Sequence, residues 1–106
     1  MHDRIIEALH ALGISPRLIG YHQLYFALRL IVEDPSRLAS LSKNVYAPAA
    51  EHFSCDPQCI ERNIRFVIGK AWAANPDYLK KLAGFPMMKK PAVSIFLEII
   101  AAHVLG

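Results

Sequence analysis

Residues 54–74 read SCDPQCIERNIRFVIGKAWAA, and this pattern predicts one long helix. Asp56 is a residue type that favours the N-cap, and Pro57 suits the first helical position because proline has no N–H to leave unpaired. The helix is predicted to end near Ala74, because Asn75-Pro76 follows. At about 100° per residue, its apolar side chains share one face. They are Ile60, Ile64, Val67, Ile68 and Ala71.

The opposite face of this helix carries side chains that a hydrophobic core does not need. They are Gln58, Arg62, Arg65, Phe66 and Gly69, with Glu61 and Asn63 at the flanks. A solvated charged face is the ordinary explanation. An outward aromatic ring and an outward glycine are unusual on such a face, so we interpret it as a binding surface.

The segment before this helix predicts a helix over residues 43–53, because Val45, Ala49 and Phe53 recur every four residues. Pro48 must kink this helix or lie near its start. Two helices joined by a short turn, with Arg and Gln on the outer face of the second, are typical of a helix-turn-helix, here about residues 43–74. An α-helix fits the DNA major groove, and an arginine guanidinium matches the O6/N7 acceptor pair of guanine.

The rest of the chain predicts further helices and no strands. Helices are expected over residues 3–12, 21–32, 77–82 and 93–105, and Gly20 is expected to mark a turn. No hairpin turn signal and no sustained alternation of apolar and polar residues occurs. We therefore predict an all-α fold with about six helices, in which residues 1–106 form a single domain.

The charge is concentrated in one third of the sequence. The net charge is +3, but residues 57–90 contain seven Lys and Arg against two acidic residues, a net +5. Such a concentration is expected where one surface meets a polyanion. The apolar run over residues 92–105 is interrupted by Glu98 and His103 and is shorter than the ~20 residues of a membrane span. We expect a cytoplasmic protein without a membrane segment.

Enzymatic and metal-binding patterns are weak. The histidines have no nucleophile or acidic partner at a suggestive spacing, and no Gly-rich phosphate loop occurs. His52, Cys55 and Cys59 have the spacing H-x2-C-x3-C, but a closed structural zinc site needs four ligands. We therefore expect a protein that is not an enzyme and has no cofactor and no metal.

Three separated segments are similar to motifs of one known family. IERNIR at residues 60–65, followed by KAW at 70–72, resembles the pattern V-E-R-A-I-R-H-A-I-E-x-A-W. LGISP at residues 12–16 with IGY at 19–21 resembles L-G-x-P-x-x-x-x-G-Y, and VYAPAAEHF at 45–53 resembles Y-P-x-I-A-x-x-F. Over essentially its whole length, the chain resembles the C-terminal DNA-binding effector domain of the sporulation master response regulator, the stage-zero sporulation protein A family.

This resemblance implies a six-helix transcription regulator that binds double-stranded DNA at a box of TGNCGAA type. Family members bind as head-to-tail pairs on adjacent boxes. They contact the RNA polymerase sigma factor from the helix after the recognition helix, which corresponds here to residues 77–82. Glu61, Arg62 and Arg65 match the family's base- and backbone-contacting positions. Lys89 and Lys90 correspond loosely to a basic loop near the phosphates.

Two departures from the family pattern alter these expectations. Phe66 replaces a histidine, so we expect its ring to pack on a thymine methyl or, alternatively, on the loop containing Met87 and Met88. The loop over residues 87–91 is shorter than usual. We expect no phosphoacceptor receiver domain within the 106 residues. The alternative function is a helical protein-interaction module, or an antagonist that keeps the fold without binding DNA.

Overall fold

The computed structural model describes residues 3–106, and within them the chain forms six α-helices and no strand. The all-α prediction is therefore confirmed. In order, the helices are α1 (Arg4–Ala11), α2 (Tyr21–Glu33), α3 (Ala47–Phe53), α4 (Pro57–Ala74), α5 (Pro76–Ala83) and α6 (Val93–Leu105). Each predicted helix is present, with ends that differ by a few residues. In the described part of the chain, no helix is both long and apolar enough to cross a membrane.

The core is built around α2 and α6, which pack against each other and each contact α1 and α4. Their buried side chains are aliphatic or aromatic, and no polar or charged residue is buried among those that the structure describes. The largest side chains with almost no solvent exposure include Leu24, Leu28, Ile31, Phe96, Leu97 and Ile100. This burial supplies most of the driving force for folding, and it fixes the inner face of α4.

The segment before α3 differs from the single regular helix that the sequence predicts. A 3₁₀ turn covers Pro35–Ala39, and one wide π-helical turn covers Ser42–Tyr46. Pro48 has no N–H, so it cannot donate to the carbonyl of Asn44 four residues earlier. Arg37 donates its Nη1 to that carbonyl instead, at 2.6 Å. The wide turn is therefore the local solution to a proline in the first turn of α3.

The start of α1 is held by a carboxylate that has several partners. Asp3 accepts hydrogen bonds from the backbone N–H groups of Ile5 and Ile6, as an N-cap does. The hydroxyl of Tyr25 on α2 donates to the same carboxylate, and Arg29 donates to the Tyr25 oxygen at 3.0 Å. The Tyr25 hydrogen bond is the main reason that the pKa of Asp3 lies below its ordinary value.

We expect this contact to give the domain an acid-sensitive stability. Because the folded-state pKa of Asp3 is lowered, its contribution is complete above the ordinary value of 3.8 and is lost as the pH falls through the lower folded value. In melting curves between pH 2 and 6, Tyr25→Phe should reduce the part of the acid destabilisation that comes from Asp3. Parallel curves for the two proteins over this range would contradict the assignment.

Candidate nucleic-acid interface

The turn between α3 and α4 is only three residues long. Ser54 ends α3 in the left-handed conformation at φ 56°, and the N–H of Cys55 returns to the carbonyl of Ala50 at 3.0 Å. Asp56 stands at the N-cap of α4 in an extended conformation, and its backbone carbonyl accepts the N–H groups of Cys59 and Ile60. Asp56 is therefore the N-cap residue that the sequence predicts, although its side chain makes no capping hydrogen bond.

The two faces of α4 divide as the helical projection predicts. All five residues of the predicted apolar face are buried, and they are the buried residues of this helix: Ile60, Ile64, Val67, Ile68 and Ala71. Gln58, Arg62, Arg65 and Phe66 are exposed on the other side, with 48% of the Phe66 surface open to solvent. The inner face is therefore committed to the core, and the outer face is available to a ligand.

Glu61 is paired with Arg65 one turn later on the same helix. The pair is partly exposed, so it contributes little to stability. Its effect is positional, because the carboxylate holds the Arg65 guanidinium along the outer face of α4. Burial raises the pKa of Tyr46 in the helical segment before α3, and the positive charge of Arg65 partly opposes that rise. Arg65 thus lies where α4 meets the helical turn that contains Tyr46.

Four cationic side chains line an open cavity of about 470 Å³ on the outer face of α4, which we call the α4 cavity. Its lining is Arg62, Arg65, Phe66, Gly69, Lys70, Ala73 and Lys90. No carboxylate lines it. Of the four cations only Arg65 is in an ion pair; none of the others lies within ion-pair distance of a carboxylate among residues 3–106. The cavity therefore has a strongly positive wall.

The predicted site residues do not all meet in one place. Arg62, Arg65, Phe66 and Lys90 line the α4 cavity together. Lys89 lines a neighbouring cavity of about 350 Å³, which shares Arg65 and Lys90 with the first. Gln58 lies exposed in the first turn of α4 and lines neither, and Glu61 reaches them only through Arg65.

The ring of Phe66 lies beside a lysine of the same helix. The Lys70 Nζ is 5.4 Å from the centroid of the Phe66 ring, within the range of a cation–π interaction. Met87 is buried and Met88 is 96% exposed, and neither lines the α4 cavity. The ring therefore keeps a solvent-facing surface next to four positive charges.

The sequence pattern placed Gly69 on the outer face of α4 but did not single out Lys70 as a site residue. Lys70 follows Phe66 by four residues and Arg62 by eight, so the helical spacing could have placed it on the same face. Gly69 lies beside Lys90, since a Cβ on Gly69 would be at ordinary contact distance, 3.8 Å, from the Lys90 Nζ. This contact brings the loop before α6 against α4. Gly69 and Lys90 are 21 positions apart in the sequence, so the sequence pattern does not indicate that they meet.

The N-terminus of α2 supports α4 from behind the outer face. Gly20 has φ 96°, and a Cβ at this position would lie 2.5 Å from the backbone oxygen of Asn63. The Asn63 Nδ2 donates to the Gln23 Oε1 at 2.9 Å across the same contact. This close approach fixes the backbone of α4 directly after Arg62.

The cysteines and histidine of the weak zinc pattern have other surroundings. The His52 ring stacks on Phe26 with centroids 4.4 Å apart. The Asn63 Nδ2 contacts the Cys59 Sγ at 3.5 Å. Burial, with the adjacent Cys59 thiol, raises the pKa of Cys55, which disfavours the thiolate that a metal needs. Within residues 3–106 no group of three or more His, Cys, Asp or Glu side chains could hold a metal ion.

The sequence of residues 5–104, nearly the whole chain, matches the family described as "Sporulation initiation factor Spo0A C terminal". The match agrees with the three motifs and with the six-helix architecture. Domains of this family bind DNA and have no enzymatic activity. The chain therefore belongs to the Spo0A C-terminal effector domain family and is a DNA-binding domain of a transcription regulator.

Proposed function

We propose that α3, the three-residue turn and α4 act as a helix-turn-helix and that α4 lies in the major groove of a specific DNA site. The observation that carries this proposal is the outer face of α4, where Arg62, Arg65 and the exposed Phe66 lie opposite a wholly buried apolar face. An α-helix fits the major groove, and exposed cations on its outer face can reach both bases and phosphates.

In this proposal, some residues contact the bases and others contact the phosphates. Arg62 and Arg65 contact base edges, most simply the O6 and N7 atoms of guanine. Glu61 orients Arg65 through their ion pair. Gln58 lies at the start of α4, where recognition helices contact bases, and Phe66 packs on a thymine methyl.

The two loop lysines supply the anchoring side of the same interface. Lys89 and Lys90 lie in the loop before α6, and both are exposed. Their ammonium groups contact phosphates, which fix the orientation of the protein on the duplex without reading its sequence. Lys90 reaches α4 beside Gly69, so an anchored phosphate lies close to the bases that the arginines read.

We expect DNA binding that weakens steeply with salt. If about four to six of the Lys and Arg side chains in residues 57–90 meet phosphates, log K should fall with log salt at a slope of roughly −4 to −5. Fluorescence anisotropy with a duplex that contains the TGNCGAA box, from 50 to 300 mM salt, measures this slope. An absence of binding at the lowest salt would favour the protein-interaction module instead.

Two further contacts belong to the proposal. The helix α5 carries exposed Asp77, Lys80 and Lys81 and follows α4 directly, so its outer surface is available to the RNA polymerase sigma factor. Two copies bind head to tail on adjacent boxes. Sedimentation of the protein with duplexes that carry one box or two boxes tests the pairing, and crosslinking at Lys81 tests the polymerase contact.

A further inference from the structure

The α4 cavity has the size and the chemistry of a small-ligand site. Its volume of about 470 Å³ lies within the range of pockets that hold small molecules. Four cations and one aromatic ring line it without any acidic side chain. A ligand that satisfies this lining needs several negative charges and one flat apolar group.

Two of its cations lie beside features that the reading of bases does not require. Lys70 lies over the Phe66 ring, 5.4 Å from the centroid. Lys90 approaches the helix where Gly69 has no side chain, with the Nζ 3.8 Å from the position of a Cβ. Both ammonium groups therefore converge on one cavity from two separate parts of the chain.

The geometry points to a nucleotide-binding site: we propose that the α4 cavity binds a free nucleoside triphosphate, with its phosphates on Lys70, Lys90 and the two arginines and its base on the Phe66 ring. A triphosphate carries about four negative charges near neutral pH, and the four cations, of which Arg65 is already paired with Glu61, offset most of that charge. Aromatic rings bind the face of any base by stacking.

Nucleotide and DNA exclude each other in this arrangement, because the site shares Arg62 and Arg65 with the proposed DNA-reading face. A phosphate of a DNA strand has the same chemistry as a nucleotide phosphate and is the other source that would fill the cavity. Bound nucleotide thus lowers the fraction of the protein that can engage a duplex.

The direct test is a titration of the protein, without DNA, with ATP and with inorganic triphosphate at constant ionic strength. We expect ATP to bind more tightly than triphosphate, on the order of tenfold, because stacking adds to the phosphate contacts. Phe66→Leu should remove this advantage and leave triphosphate binding unchanged. Equal affinity of the two ligands for the wild-type protein would overturn the role of the ring.

The variants separate this cavity from general attraction by a basic protein. Lys70→Ala should weaken ATP binding roughly tenfold through loss of a charged contact. Lys80→Ala is the matched control, because the Lys80 Nζ lies 5.5 Å from the Trp72 ring centroid in a similar cation–π contact outside the cavity. Equal losses for the two variants would overturn the site.

Gly69 supplies a second pair of variants. Gly69→Ala places its Cβ at ordinary contact distance from Lys90 and should leave ATP binding intact. Gly69→Glu puts a carboxylate among the cations and should abolish it, while a melting curve reports whether the domain stays folded. Unchanged ATP affinity in a folded Gly69→Glu protein would overturn the proposal.

A competition experiment then tests whether ATP and a DNA duplex bind to the same cavity. ATP should displace a labelled duplex more effectively than triphosphate at the same ionic strength. Simultaneous binding of ATP and duplex would contradict the shared site. A protein that binds ATP through Lys70 but binds no duplex would keep this site and remove the DNA proposal, and the reverse result would keep only the DNA proposal.

Discussion

Gly20→Ala is expected to lower the free energy of unfolding by about 2–4 kcal/mol, the sum of a strained left-handed alanine and a close backbone contact. The added Cβ would lie 2.5 Å from the Asn63 backbone oxygen and 2.9 Å from its carbonyl carbon. Neither atom is the end of a flexible side chain, so α2 and α4 must move apart. Chemical denaturation of both proteins measures the loss.

The matched control for this substitution is Gly84→Ala. Gly84 also has a positive φ, 74°, but a Cβ there would meet nothing within 4 Å. Only the conformational cost remains, about 1–2 kcal/mol. If Gly20→Ala costs no more than Gly84→Ala, the contact with α4 has no energetic importance.

The Gly20→Ala substitution also separates packing from DNA recognition. A displaced α4 carries Arg62 and Arg65 with it, so site-specific DNA binding should fall even under conditions where the protein is fully folded. Binding to a random duplex depends on charge and much less on helix position, and it should change little. The ratio of the two affinities is therefore the readout, and an unchanged ratio in folded protein would show that α4 keeps its position.

Arg62→Ala is expected to cost about 1–3 kcal/mol on a duplex that contains the family box, and much less on a random duplex. The reason is the loss of a two-point contact with one guanine, since Arg62 has no carboxylate partner in the described structure and is free to make it. Anisotropy titrations on both duplexes measure the difference.

Lys89→Ala is the comparison for the arginine. Lys89 is exposed in the loop before α6 and is proposed to touch only phosphate, so its loss should weaken both duplexes alike and reduce the salt slope by about one. If Arg62→Ala and Lys89→Ala weaken both duplexes equally, Arg62 contacts phosphate and does not read a base.

The inner face of α4 was predictable because helical periodicity and burial act on the same few side chains. Ile60, Ile64 and Val67 repeat at intervals of three or four, and a helix can bury them only by turning that side inward. The residues of the outer face could then be assigned, because they lie on the side of the helix opposite the buried one. The helix ends were also predictable, because Pro57 and Asn75-Pro76 leave few alternatives for the chain.

The assembled cavity was not predictable, because it depends on contacts between distant segments. Lys90 lies against α4 beside Gly69, and Gly20 contacts the backbone of Asn63. The residues of each pair are so far apart in the sequence that helical periodicity does not indicate the contact. Asp56 stands at the predicted N-cap of α4, but its side chain makes no capping hydrogen bond, which the sequence could not indicate because it shows the residue type and not the rotamer. Pairing of Glu61 with Arg65 follows the four-residue spacing, yet its use in orienting the arginine appears only in the folded site.

The late position of α6 in the chain has a consequence for synthesis on the ribosome. Phe96, Leu97 and Ile100 are fully buried, and α6 contacts α1, α2, α4 and α5. The Arg4 guanidinium donates to the carbonyl of His103 at 3.1 Å, a contact between residues 99 positions apart. A nascent chain that has just completed α5 thus already carries Arg62 and Arg65 but lacks the helix that closes its core. Translation must therefore deliver α6 beyond the exit tunnel before the emerging regulator can hold a stable shape.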